Sequence, residues 1–253
     1  RAERLNAMEQ YILGKETVSL EELLRNFLIY EHDPAGCHGT FEPMEYPKVY
    51  GGVSSTLINR PVGFSVRAQK NSRAKQIIGR LALQLVSDGA SIFLDSGSTT
   101  PYILQHIGEK NGVTVITHSL TALYAASSLS NLNIIALGGI YAPATSSFTG
   151  ISTLDALSRL SIQTIFISAT GVSIETAYQQ YYLEAEIKRS VVQRGNRVVL
   201  MADQSKFGHS AVISFCPFEQ LYAIVTDCLP SEPYLEAIDR YGIRLICPGH
   251  ESD

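Results

Sequence analysis

A chain of 253 residues is long enough for one large domain, or for a medium domain beside a small one, with ample core. It has no uninterrupted apolar run of membrane-spanning length and no basic, apolar, cleavable leader, so a soluble cytoplasmic protein with no membrane contact is expected. A formal net charge of −4 excludes a globally basic nucleic-acid binder and leaves only a local patch for such a contact. Cys37, Cys216, Cys228 and Cys247 are too widely scattered for a zinc or redox motif, so they are expected to be reduced thiols, with no metal or cofactor.

Residues 1–53 differ in texture from the rest. Glu3 to Ile12 carries Leu5, Met8, Tyr11 and Ile12 at helical spacing, and Gly14 ends it. Ser19-Leu20-Glu21-Glu22 is an S-x-x-E capping box, which opens a second short helix to about Phe27. Two such helices are a common core element and are also how a winged helix-turn-helix begins. Leu28 to Pro47 breaks the pattern, because Asp33-Pro34, Gly36, Gly39, Pro43 and Pro47 suit no helix. Lys48-Val49-Tyr50-Gly51-Gly52-Val53 has the pattern of a β-wing ending in a turn, and residues 54–63 form a polar linker.

From residue 64 to 253 apolar strands alternate with helical segments. Strands are expected at Ile92 to Asp95, Val113 to Thr117, Ile134 to Leu137, Thr164 to Ser168, Arg197 to Ala202, Ala223 to Thr226 and Ile243 to Ile246. Helices lie between them, notably Arg73 to Val86, closed by Gly89, and Leu183 to Gln193, closed by Gly195. Near-continuous apolar strands joined by helices predict an α/β domain with a mostly parallel sheet covered on both faces.

Ligands of open α/β sheets sit beyond the carboxyl ends of the strands. There the run Asp95-Ser96-Gly97-Ser98-Thr99-Thr100-Pro101 stops a strand, turns through small hydroxyl residues and enters a helix at proline, a geometry suited to cradling a phosphate. The plainer alternative is a strand-to-helix turn capped by Thr99 or Thr100. His118, Gly138-Gly139, Gly171 and Lys206 follow other strands, and Glu184, Glu186, Lys188 and Arg189 share one helix. Each has an ordinary structural explanation: a buried histidine, a glycine turn needing positive φ, a solvated charge run or a surface lysine. Together, carboxylates, lysines and a hydroxyl-rich loop suit a phosphorylated polyol or sugar.

These strings, with Val18 to Leu23, Tyr50-Gly51-Gly52, Ile116 to Leu120, Leu137-Gly138-Gly139, Glu186 to Arg189 and Ala202 to Gly208, resemble the DeoR-type bacterial repressors of carbohydrate metabolism. The resemblance implies an N-terminal winged helix-turn-helix, a C-terminal effector domain related to ribose-phosphate isomerases, operator DNA as partner and a homo-oligomer. It implies DNA contacts near Ser19, Lys48 and Tyr50. Its sugar-phosphate effector would be held by Asp95, Gly97, Ser98, Thr99, Thr100, His118, Gly138, Gly139, Gly171, Glu186, Lys188 and Lys206. A rival with the same pocket is a sugar-phosphate isomerase using Glu184 or Glu186 as base, and a third reading is an effector-binding protein without DNA binding.

Two departures stand out. His118 occupies a position where the family usually has Asn, and Leu28 to Pro47 contains no arginine where the family's recognition helix carries two. Codon degeneracy offers an account: Ile29 to Pro43 read one base later permits S-M-N-T-I-R-R-D-V-T-E-L-L-N, the missing helix. Ala177 to Tyr181 read the same way permits L-T-N-N-T, where the family has G-L-T or G-L-S. We therefore hypothesise a reading-frame slip with compensating changes. Resequencing the locus is expected to reveal a paired insertion and deletion around codons 28–47, and an unaltered frame there refutes the slip.

Overall fold

The computed structural model describes residues 63–249 in full, the backbone of residues 17–19, 48–49, 52–54 and 250–251, and Tyr11. The chain divides into two units, Arg1–Val62 and Gly63–Asp253. In the smaller unit β1 (Thr17–Ser19), β2 (Lys48–Val49) and β3 (Gly52–Ser54) form an antiparallel sheet in the order β1-β3-β2. Where the sequence places the wing, Lys48 pairs with Val53 and Val49 with Gly52. Ser19 ends β1, while the rest of the expected helix over residues 3–12 apart from Tyr11, the helix after Ser19, the segment 28–47 and Tyr50 lie outside the described residues.

The larger unit is built on an eight-stranded sheet. Its strands in chain order are β4 (Ser91–Leu94), β5 (Thr114–Thr117), β6 (Asn133–Ala136), β9 (Thr164–Ile167), β12 (Arg197–Met201), β14 (Ala223–Val225), β15 (Arg244–Cys247) and β16 (His250–Glu251). Two small antiparallel sheets interrupt the series: β7 (Ile140–Ala142) with β8 (Ser147–Thr149), and β10 (Gly171–Val172), β11 (Thr176–Gln179) and β13 (Ile213–Pro217). The main order is β16-β15-β14-β12-β9-β4-β5-β6, parallel except for the β15–β16 hairpin. All seven expected parallel strands are present, each within a residue or so of the expected bounds.

Among its described residues the larger unit has six α-helices, α1 (Phe64–Gln69), α2 (Ser72–Ala82), α3 (Leu120–Ala126), α4 (Ile151–Ser158), α5 (Tyr182–Val192) and α6 (Glu232–Tyr241), of which α2 to α6 cover the sheet. Strand alternation splits the apolar residues between two cores, as the two-residue side-chain period requires. Phe93, Ile165, Ile167, Val198 and Leu200 face α4, α5 and α6, whereas Ile92, Leu94, Phe166, Val199 and Met201 face α2 and α3. The central strands are buried on both faces, as continuous apolar runs predict.

Three local expectations are corrected. Pro101 does not open an α-helix: Thr100–Gln105 is a 3-10 segment, whose tighter winding lets it lie against α2. Gly195 closes α5 without a positive φ; it is small because a Cβ there would lie 1.8 Å from Cδ1 of Ile165. In the Gly138-Gly139 turn only Gly139 takes positive φ, at 146°.

The seam between α2 and the 3-10 segment depends on Gly79, where a Cβ would sit 2.6 Å from the Tyr102 carbonyl carbon. Alanine favours an isolated helix by about 1 kcal/mol over glycine. Here Gly79→Ala is expected to destabilise by about 1–3 kcal/mol through overpacking, measured by urea unfolding.

Candidate functional site

The carboxyl ends of β12, β9, β4 and β5, adjacent in the sheet, deliver Asp203, Ser168, Asp95 and His118 to one edge. Asp95 is fully buried and saturated. Its Oδ1 accepts from the Gly97 N–H (2.9 Å) and Thr100 Oγ1 (2.7 Å), and its Oδ2 from the Ser168 N–H (2.8 Å) and Oγ (3.0 Å). The Lys188 ammonium lies 2.7 Å from Oδ2, also donates to the Ser168 carbonyl at 2.5 Å, and sits 5.0 Å over the Phe215 ring. Burial opposes charge on Asp95, but Lys188 together with the hydrogen bonds from Ser168 and Thr100 holds its carboxyl below the usual range. Gly97 cannot carry a side chain, since a Cβ would fall 1.8 Å from Ser168 Oγ. Asp95, Gly97, Thr100 and Lys188 therefore form a strut beneath the loop.

A second buried cluster lies beside it. Glu184 accepts from Ser96 and Ser147 hydroxyls and pairs with His118 Nε2 at 3.1 Å. The His118 ring stacks on Phe93 at 5.6 Å, and its Nδ1 has no hydrogen-bond partner. Burial raises the Glu184 pKa, but its electrostatic attraction to His118 and the hydrogen bonds from His118, Ser147 and Ser96 outweigh it and bring the group to about 2. The charge run on α5 is thus not one solvated face. Glu184 and Lys188, one turn apart, point inward, while Glu186 binds Arg189 at 2.5 Å on the half-exposed side.

The loop itself opens onto a basic cleft of ≈ 50 Å³. Ser98 and Thr99 line it with Thr170, and four cations, Arg67, Lys70, Lys75 and Lys206, face a single carboxylate, Asp203. Its Oδ1 accepts from the Ser205 N–H (3.1 Å), Ser205 Oγ (2.5 Å) and Asn71 Nδ2 (3.0 Å). Asn71 joins α1 to α2 in the left-handed conformation, φ 54°, which asparagine tolerates better than most residues. Lys75 is only 2% exposed and donates to the Arg67 carbonyl. Burial, reinforced by Lys206, Arg67 and Lys70 and partly offset by Asp203, lowers its pKa to about 8. Burial lowers Lys206 and Arg67 as well. Desolvated, mutually repelling ammonium groups beside hydroxyls are what an oxyanion would relieve.

Of the expected effector residues, Ser98, Thr99 and Lys206 line this cleft. His118 is buried in the Glu184 cluster. Gly138 is exposed and its carbonyl accepts from Thr153 Oγ1 at 2.7 Å, Gly139 packs on Thr149 and Thr153, and Gly171 packs on the backbone of His209. Arg67, Lys70 and Lys75 were missed from sequence. Lys75 carried a signal: it shares the buried stripe of α2 with Ile78, Gly79 and Ala82, an odd place for a lysine with no task. Of the cysteines, Cys216, Cys228 and Cys247 are free thiols, with burial pushing Cys216 up to about 12, and Cys37 lies outside the described residues.

Removing the cation beneath the loop leaves a buried, uncompensated carboxylate. Lys188→Met is expected to cost about 3–5 kcal/mol in urea unfolding, whereas Glu186→Gln, at the half-exposed pair, is expected to cost under about 1 kcal/mol.

Residues 70–228 match the DeoR C terminal sensor domain. The chain is 34% identical over 244 residues to the HTH-type transcriptional regulator IolR of Bacillus subtilis (strain 168), covering 96% of this chain and 97% of that one. It is 21% identical over 252 residues to the glycerol-3-phosphate regulon repressor of Escherichia coli (strain K12), covering 97% and 98%. A solved D-ribose-5-phosphate isomerase in complex with phospho-erythronic acid aligns with a TM-score of 0.41 and 17% identity over 54% of each chain, a likeness too distant to bear on function. The sensor-domain match and the near full-length identity to a regulator place this chain in the DeoR family of transcriptional regulators.

Proposed function

We propose that the protein is a DNA-binding repressor of a carbohydrate-utilisation operon whose effector is a phosphorylated sugar. The observation that carries the effector half is the cleft: four cations against one engaged carboxylate, with Ser98 and Thr99 presented on a loop pinned by Asp95. The phosphoryl group lies among Lys75, Lys206, Ser98 and Thr99, with Arg67 and Lys70 at the mouth. The sugar extends past Thr170, whose Oγ1 donates to Gln179 at 2.9 Å. As in any ligand-controlled switch, the effector acts by binding operator-competent and operator-incompetent states unequally. Regulation of this kind places the protein in the cytoplasm as a homo-oligomer, with operator contacts from the smaller unit near Ser19, Lys48 and Tyr50.

The carboxylates argue for a regulator over an isomerase. An isomerase needs a base within reach of substrate carbon. Asp95 carries four hydrogen bonds and an ion pair, both oxygens of Glu184 are engaged, the Oδ1 of Asp203 is capped by Asn71 and Ser205, and Glu186 points away to Arg189.

The test is a thermal-shift and calorimetric titration with inorganic phosphate and a panel of sugar phosphates, alongside mobility shift of the upstream DNA. One sugar phosphate is expected to stabilise the protein and to release the DNA, without being turned over. Lys75→Gln is expected to weaken it roughly 10–100-fold, the value of a charge-assisted hydrogen bond of about 1.5–3 kcal/mol. Phosphate monoesters are already largely dianionic above about pH 6. Affinity is therefore expected to fall as pH rises through about 8, where Lys75 loses its proton. The apo protein shows the opposite sign. Its unfolded chain holds the Lys75 proton more tightly than the folded one, so apo stability rises between about 8 and 10.5. Affinity that is flat across this range, or unmoved by Lys75→Gln, overturns the assignment.

A further inference from the structure

Residues 111–154 contain no Asp, Glu, Lys or Arg, in a chain with 20 basic and 24 acidic residues. The next charges along the chain, Asp155 and Arg159, pair with each other at 2.9 Å. This stretch carries six of the thirteen exposed large apolar side chains among the described residues: Leu120, Tyr124, Ile134, Ile140, Tyr141 and Ile151. Tyr124, Ile140 and Ile151 are 82%, 74% and 87% exposed. Depletion of charge with retained aromatic and aliphatic exposure distinguishes the centre of a protein interface from ordinary surface.

The six belong to connected elements. The chain runs from β6 through Gly138-Gly139 into β7; β7 pairs with β8, and Tyr141 packs on Phe148 with centroids 5.7 Å apart. Gly150, which precedes α4 and Ile151, lies against Ile140, and α3 packs on both β6 and β8. Strand β6 is also the edge of the main sheet. Three of its four residues are exposed, and no strand among the described residues pairs with its outer side; the opposite edge ends in the two-residue β16 of the β15–β16 hairpin. An open edge offers unpaired N–H and C=O groups to any strand that approaches.

We propose that this face, β6 with the exposed sides of α3, β7 and the start of α4, is where a second copy of the chain docks about a two-fold axis. The two-fold places β6 antiparallel to its own counterpart, so that the edge groups of one copy meet those of the other and the same patch serves both sides. Charge selects the occupant. A chain of net charge −4 meets its twin here without local repulsion, and nucleic acid finds no cation on this face.

The test is the mass of the full-length protein by sedimentation or light scattering across a dilution series. Tyr124→Glu and Ile140→Lys are made separately, with Val212→Asp, an exposed apolar residue off this face, as control. Each face variant is expected to weaken self-association on the order of 100-fold, as a charge in an interface centre does. Val212→Asp is expected to keep the wild-type mass, and stabilisation by inorganic phosphate is expected in all three, which separates this inference from the effector assignment. A monomeric wild type, face variants with unchanged mass, or equal dissociation by Val212→Asp each overturn it.

Discussion

The larger unit depends on one interaction, the buried contact between Asp95 and Lys188. A carboxylate at the end of a central strand is costly to bury, and a buried ion pair is seldom a source of net stability. Its value here is positional. One carboxylate fixes the start of its own loop through Gly97 and Thr100, and fixes the neighbouring strand end through Ser168. Ser98 and Thr99 are then held against the cleft by a loop tied inward at its other residues. A lysine from the helix on one face of the sheet completes the arrangement, so the loop is held by three separate parts of the chain.

Helix α5 shows how a single element serves two environments. Its inward residues, four apart, supply opposite charges to two adjacent clusters, Lys188 to Asp95 and Glu184 to His118, Ser96 and Ser147. Its outward residues pair in solvent. The His118–Glu184 contact closes the second cluster, in which both carboxylate oxygens are engaged while His118 Nδ1 is left without a hydrogen-bond partner.

The parallel sheet was legible because its strands are short, apolar and buried on both faces, a pattern with few alternatives. The small antiparallel sheets were not, because pairs as brief as Gly171–Val172 carry no periodic signal. The hydroxyl loop announced itself, but the helix after Thr99 is a 3-10 turn, which no residue in it distinguishes from an α-helix. At the site, sequence spacing found Lys206 and missed Arg67, Lys70 and Lys75, since their convergence depends on where α1 and α2 fold back. Asp95 and Lys188 were chosen for their chemistry, and only packing reveals that they face each other. Glu186 lay in the right string on the wrong side of its helix.

Helix α1 has six residues and none of them is buried. A helix so short cannot sustain itself in water, and this one begins two residues after Val62, where the smaller unit ends. Arg67, in its last turn, and Lys70, its C-cap, are cleft residues. An anion bridging them to Ser98 and Lys206 would supply the cohesion that α1 lacks from apolar packing. The metabolite would then act as a structural keystone, ordering a turn of helix that the chain cannot hold by itself.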